Sequence, residues 1–361
     1  MHSMKKEILL MAGPTAIPEQ AIKAMNRQVM FHRSKDFETI TAELNNNLKT
    51  VFQTKNDVIT LTGSGTSAME AAISNCFCKG DEVIVVVLGV FSERMAKVAE
   101  AFGLNVRRVV KPLGEVATVE DIKPFMSENV KGVIVIHNES ATGVTSDLKA
   151  FGDYLKDTNA LLITDSVSGM GALEFRMDEW HVDVAFTGSQ KALMGPPGLA
   201  FISLSDKAWK AAETSDLPKF YLNLKVAREF LKKDQHPWTP AVYQVIGVNE
   251  TVKMMVEEGM ENIWKRNKEL SAMVVDGLGK LGIHLFAKDS SWASTSVCTF
   301  AYEKSREFVA ALKEEYGISV YGGQDTLVNT TFRVGVMGYV SETDIVAFLY
   351  AAEKVLKKLE G

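Results

Sequence analysis

Lys191 lies in Phe186-Thr-Gly-Ser-Gln-Lys-Ala-Leu-Met-Gly-Pro-Pro-Gly198, where a short apolar run gives way to a glycine- and proline-rich turn. A lysine amine in that setting can condense with a carbonyl to form a Schiff base and, once released, act as a base. Asp165 ends another apolar run, Ala160-Leu-Leu-Ile-Thr-Asp165, 26 residues upstream. That spacing lets the chain leave one strand end and return to a neighbouring one, which puts an amine and a carboxylate in one pocket. The carboxylate can keep a ring nitrogen protonated, so that the ring accepts electrons released from a substrate.

Other residue types with chemical use follow the same pattern. Gly63-Ser-Gly-Thr66 comes after the run Val58–Thr62 and opens a helical pattern. Small residues let backbone N–H groups approach an anion, a helix N-terminus favours negative charge, and the Ser64 and Thr66 hydroxyls add donors. The P-loop lysine is missing and Ala68 holds the third glycine position of GxGxxG, so a small phosphate suits the turn better than a nucleotide. Phe91, just after Leu88-Gly-Val, can stack on a flat ring. Beyond Val133–Ile136 comes His137-Asn-Glu-Ser-Ala-Thr-Gly143, where Ser140 and Thr142 offer hydroxyls to a ligand or to a capped turn. Singly, each has an ordinary explanation: Lys191 a surface lysine, Asp165 a cap, Phe91 core packing, the GSGT turn a plain helix start. Their recurrence at successive strand ends is what marks a site.

The elements that must position them are short β-branched runs alternating with amphipathic segments between about residues 58 and 203, the pattern of βαβ units and a largely parallel sheet. The expected strands are 58–62, 83–88, 106–110, 133–137, 161–165, 182–187 and 199–203, with helices over 67–75 and 92–101 among the connections. Several runs are apolar on both faces, so helices should cover both sides of the sheet. In open α/β sheets, functional groups collect at the carboxyl ends of the strands. After Ser203 long helical stretches follow, notably from Val245 to about Gly279, and then a smaller α+β lobe with strands at 295–301, 318–321 and 331–336 and a helix over 342–359. The division expected is an N-terminal segment 1–20, a large domain 21–244 and a small C-terminal domain 245–361.

Composition narrows the class. A chain of 361 residues with 46% apolar and 24% charged residues can bury more than one core. A net charge of −5 with interspersed signs, and no basic stripe, argues against a nucleic-acid partner. Three cysteines cannot staple a chain this long, and Cys76-Phe-Cys78 lacks zinc spacing, so no metal and a reducing, cytoplasmic setting are expected. No apolar run is long enough to span a membrane, and the stretch before Gly13 is too short for a signal peptide; Met4 is the expected native start, with Met1–Ser3 appended.

Residues 10–360 resemble the class V aminotransferases of fold type I, nearest the alanine–glyoxylate and serine–pyruvate branch. The resemblance is carried by Phe31-His-Arg-Ser-Lys-Asp36, Gly63-Ser-Gly-Thr66, His137-Asn-Glu-Ser-Ala-Thr-Gly-Val144, Asp165-Ser-Val-Ser168, Gly188-Ser-Gln-Lys-Ala-Leu193 with Pro196-Pro-Gly198, and Phe332-Arg-Val-Gly-Val-Met-Gly338. It implies a pyridoxal 5'-phosphate cofactor held as an internal aldimine on Lys191, with Asp165 on the ring nitrogen, Phe91 and Val167 on the ring faces and Ser140 near the ring hydroxyl. Ser64, Gly65, Thr66 and Gln190 would hold the phosphate, and Arg333 the substrate carboxylate. It also implies a homodimer in which Thr239 reaches the phosphate site of a second subunit. His236 stands where some relatives have Tyr, which puts that contact in doubt or assigns it to imidazole. Segments 13–17 and 31–33 are expected to line the substrate pocket from one subunit or the other. The implied activity is transfer of an amino group from alanine or serine to glyoxylate or pyruvate. Aminoethylphosphonate transamination is the alternative; a cysteine desulfurase would need a cysteine after Thr299, where there is none, and a turnover-free sensor would need no such complete site.

Overall fold

The computed structural model describes residues 7–361; the expected start at Met4 lies outside them. Seven strands form the central sheet in the order Val58–Thr62, Leu199–Leu204, Val184–Gly188, Leu161–Asp165, Val130–Ile136, Glu82–Val87, Asn105–Val110. Leu199–Leu204 runs antiparallel to both neighbours, while the remaining pairings are parallel. The central strands are buried on both faces, as their unbroken apolar sequences require. One face packs against the helices Lys35–Phe52 and Val242–Glu258 through Phe37, Leu44, Phe52, Val245 and Val252. The other packs against Gly65–Cys76 and Val90–Ala101 through Ala68, Ala71, Ile73, Met95 and Ala96. The architecture is therefore the α/β one that the sequence pattern implies, a mainly parallel sheet with helices on both faces.

A second core surrounds a four-stranded antiparallel sheet ordered His284–Leu285, Val297–Ala301, Thr331–Gly335, Tyr321–Gly322. Leu270, Val274, Phe308, Ile345 and Phe348 cover it from three helices, Met260–Gly279, Ser305–Tyr316 and Glu342–Glu360. Two expectations change here. The stretch Ile318–Tyr321 is not one strand: Ile318–Ser319 pairs in parallel with Ile8–Leu9, and Tyr321–Gly322 pairs with Thr331–Gly335. The single long helix expected from Val245 to Gly279 is two, broken at Gly259, whose φ of +83° suits glycine. Val245, Ile246, Val248 and Val252 of the first, and Met260, Ile263 and Trp264 of the second, pack into the large core.

Leu10 belongs to the small-lobe core, and the chain then crosses at once to the sheet's carboxyl end. There Thr15 N donates to Gln190 O at 3.0 Å and Thr15 Oγ1 to Lys191 O at 2.8 Å. The N-terminal segment thus ties the two cores together over the lysine.

Candidate active site

Lys191 sits in the turn after Val184–Gly188. The turn is fixed from within: Gly195 N donates to Ser189 O at 2.8 Å and Ser189 Oγ to Pro196 O at 2.6 Å. Lys191 Nζ donates to Ala12 O. A Cβ on Gly13, whose φ is +100°, would overlap the lysine side chain, so only glycine lets the N-terminal segment lie against it. Burial, with Arg333 nearby, pulls the Lys191 amine down to about 8 against the opposing influence of Asp165.

Asp165 closes the adjacent strand, 3% exposed. Its carboxylate accepts from Val167 N at 2.8 Å. Burial pushes it up to about 7; the Val167 hydrogen bond opposes this, Glu139 adds to it, and Lys191 and Arg94 lower it. Across the pocket, Gly65 opens the helix Gly65–Cys76, and a Cβ there would come within 2.9 Å of Val167 Cγ2. The Ser64 side chain makes no capping bond to that helix, which leaves its hydroxyl and the first helical N–H groups facing the cavity. The cavity is about 290 Å³ and is lined by Ser64, Gly65, Thr66, Phe91, Ser140, Asp165, Val167, Gln190 and Lys191 together.

Two supports were not foreseen. Glu139 is fully buried and accepts from Phe91 N at 3.1 Å, Ser92 N at 2.9 Å, Ser92 Oγ at 2.9 Å and Ala141 N at 3.2 Å. It therefore anchors the N-terminus of Val90–Ala101 and with it the Phe91 ring. Arg94, one helical turn beyond Phe91, lines the same cavity with its guanidinium carbon 4.9 Å from the Phe91 ring centre. Arg333, 1% exposed, reaches the cavity edge from the small lobe, where Nη1 donates to Ser140 O at 3.2 Å.

A buried amine, a carboxylate on the next strand, an anion-receptive helix start and an arginine thus converge. The sequence model of the family described as aminotransferase class V matches residues 8–348. The chain belongs to the class V aminotransferases. It is 38% identical to an uncharacterized aminotransferase of Methanocaldococcus jannaschii, over 98% of this chain and 94% of that protein. It is 32% identical to a serine–glyoxylate aminotransferase of Methylorubrum extorquens, over 96% of this chain and 90% of that protein. Among solved structures, an alanine–glyoxylate aminotransferase from Nostoc sp. superposes with a TM-score of 0.93 at 26% identity, covering 99% of this chain and 96% of that one.

The cofactor of this aminotransferase is pyridoxal phosphate, and the residues present fit it. Asp165, raised towards neutrality by burial, gains from a cationic ring nitrogen, and the Gln190 Oε1 in the cavity wall has no protein partner. Other foreseen residues lie elsewhere. Thr239 lines a separate small cavity with Tyr221, His236 and Trp238. His236 is buried against Phe37 with Nε2 unpaired, and burial lowers it to about 4, so it is a neutral imidazole turned inward. Phe31 is exposed and Arg33 donates to Gln235 Oε1 and Pro237 O, away from the lysine cavity. The Thr142 hydroxyl is spent on Leu88 O. His137 bonds Ser166 Oγ at 2.8 Å, and burial drops it to about 3, a structural role. None of the cysteines lines the cavity, and burial pushes the Cys76 and Cys298 thiols up to about 12 and 11. Among the described residues there is no metal-binding cluster and no helix long and apolar enough to cross a membrane.

Proposed function

We propose that the enzyme transfers the amino group of a small amino acid, alanine or serine, to a small 2-oxo acid such as glyoxylate or pyruvate in ping-pong fashion. The observation that carries this is the convergence of the Lys191 amine and Asp165 on one cavity of about 290 Å³, with Arg333 bonded to Ser140 O in its wall. The names of the Methylorubrum and Nostoc relatives agree with those substrates.

Bound pyridoxal phosphate supplies an aldehyde to take up amines and a protonated ring to accept electrons. Lys191 would be its attachment point, Asp165 would pair with the ring nitrogen, and Phe91 and Val167 would pack on the ring. Ser140 would serve the ring hydroxyl, and Ser64, Gly65, Thr66 and Gln190, which line the cavity, would hold the phosphate. Arg333 orients the substrate carboxylate, its planar fork suiting two parallel bonds. With the cofactor bound, Lys191 Nζ would be the base that holds and moves the substrate α-proton, an amine near 8 being well matched to that task at neutral pH. Buried Ile136 and Met69 in the cavity wall limit water entry. Thr239 would serve the phosphate site of a second subunit in a homodimer, supported by its place in a cavity separate from that of Lys191 and by the exposed Phe220 packed on Trp238 beside it. The three free cysteines fit a cytoplasmic setting.

The test is a panel of donors (alanine, serine, aspartate, ureidoglycine, aminoethylphosphonate) against glyoxylate, pyruvate and 2-oxoglutarate. Alanine or serine with glyoxylate or pyruvate should give the highest kcat/KM, and the donor alone should bleach the visible absorption of the purified protein. A preference for aminoethylphosphonate, or for aspartate through a second carboxylate contact with Arg94, would replace the proposed substrates.

A further inference from the structure

A guanidinium has five N–H donors. In Arg333 four are engaged: Nε and Nη2 both donate to Gly322 O, at 3.0 and 2.9 Å, and Nη1 donates to Ser140 O at 3.2 Å and to Gln324 Oε1 at 3.1 Å. A carboxylate gripped bidentately needs two parallel N–H bonds from one edge of the fork. With one donor on Nη2 left over, it cannot dock unless an existing acceptor gives way.

The three acceptors differ in how easily they can leave. Gly322 O belongs to the strand Tyr321–Gly322, paired to Thr331–Gly335. Ser140 O is main chain in a buried segment. Gln324 offers only a side-chain amide, from a half-buried position just before the short turn Asp325–Leu327. Beside it lies a second cleft of about 480 Å³, shared with Glu93, Lys97, Lys111 and Leu327, into which the amide can rotate. Meanwhile the Tyr321 ring, 4.5 Å from the guanidinium carbon, holds the plane of the fork.

We propose that Gln324 is a built-in stand-in for the substrate carboxylate, covering Arg333 until a carboxylate displaces it and thereby setting which amines are admitted. The proposal rests on the reading of Arg333 as the carboxylate receptor. A charged carboxylate replaces a neutral amide because charge-assisted hydrogen bonds are the stronger ones, whereas an amine lacking an anionic group has nothing to offer in exchange. A glutamate at 324 would not yield in this way.

The holoenzyme is titrated calorimetrically with propionate, an unreactive carboxylate, and donor KM and kcat are measured in parallel. Gln324→Ala should bind propionate about tenfold tighter and lower KM to match, with kcat changed less than about twofold. Gln324→Glu should bind it at least about tenfold more weakly. Weaker or unchanged binding in Gln324→Ala overturns the stand-in. Arg333→Lys separates the two readings: if propionate binds it as well as the parent, the receptor assignment itself fails. If Arg333→Lys loses propionate while Gln324→Ala binds it unchanged, only the stand-in falls.

Discussion

Asp183 just precedes, and Asp165 ends, one of two neighbouring parallel strands, so the two buried carboxylates lie at opposite ends of the sheet. Asp183 precedes Val184–Gly188 at the end remote from the lysine. Its Oδ2 accepts from Leu162 N at 2.9 Å, its Oδ1 from Ser205 Oγ at 2.7 Å, and Lys207 Nζ lies 3.4 Å away. Asp165, at the carboxyl end, is bonded to Val167 N and held near 7 by burial. One carboxylate has its acceptor capacity committed to joining three segments of chain. The other keeps acceptor capacity free for a cation brought by a ligand, at a cost in stability. The difference separates a residue that holds the fold from one that the fold holds in readiness.

The comparison is sharpened most strongly through Lys191. Lys191→Ala should lower kcat by about 10⁴-fold or more and abolish the visible absorption of the bound cofactor, measured by stopped-flow and spectroscopy. Retention of one hundredth of the turnover would break the assignment. Asp165→Asn should cost about 10³-fold in turnover. Its effect on the cofactor-free protein should be opposite in sense. The folded pKa of Asp165 lies above its unfolded value, so the native state binds the extra proton and stability falls as pH rises from about 4 to 7. Replacing it by Asn removes that loss, so the cofactor-free variant should melt about 3 °C higher than the parent at pH 8, with the gap closing by pH 4.

At the other end, Asp183→Ala strands the Leu162 N–H and the Ser205 hydroxyl. A loss of about 2–4 kcal/mol in denaturant unfolding is expected, while kcat of the folded enzyme stays within about twofold. A tenfold fall in kcat without loss of stability would mean the two ends are not functionally distinct.

Much of this arrangement is legible along the chain because strands buried on both faces read as unbroken apolar runs, and the polar residues that follow them are conspicuous. Asp165, Ser140 and Gly63–Thr66 announce themselves in that way. Glu139 sits inside the same conspicuous run, yet its partners at Phe91 and Ser92 are 48 and 47 residues away, and nothing local names them. Arg94 had a usable signal, since a residue three after Phe91 shares its helix face. The antiparallel direction of Leu199–Leu204, the split at Val320 and the contact of Gly13 with Lys191 depend on which segments meet, which periodicity does not encode. His236, which the resemblance set where some relatives have Tyr, packs against Phe37, a contact 199 residues away that nothing local names.

The mildest test of the two-ended sheet is the pH dependence of cofactor capture. Only the neutral amine attacks the aldehyde, and Lys191 is lowered from 10.5 to about 8. About a tenth of it is then neutral at pH 7, against less than about 0.1% for an ordinary lysine. When pyridoxal phosphate is mixed with the cofactor-free protein, the rate of appearance of visible absorption should climb from pH 6 to about 8 and level off above about 9. A rate still rising tenfold per pH step through 10 would show that burial does not depress the amine. Asp165 raises the Lys191 pKa, so Asp165→Asn should move the inflection below 8, whereas Asp183→Ala, acting at the far end of the neighbouring strand, should leave it in place. A shift of equal size in both variants would mean that the field at Lys191 is set by the whole sheet and not by the carboxylate that shares its pocket.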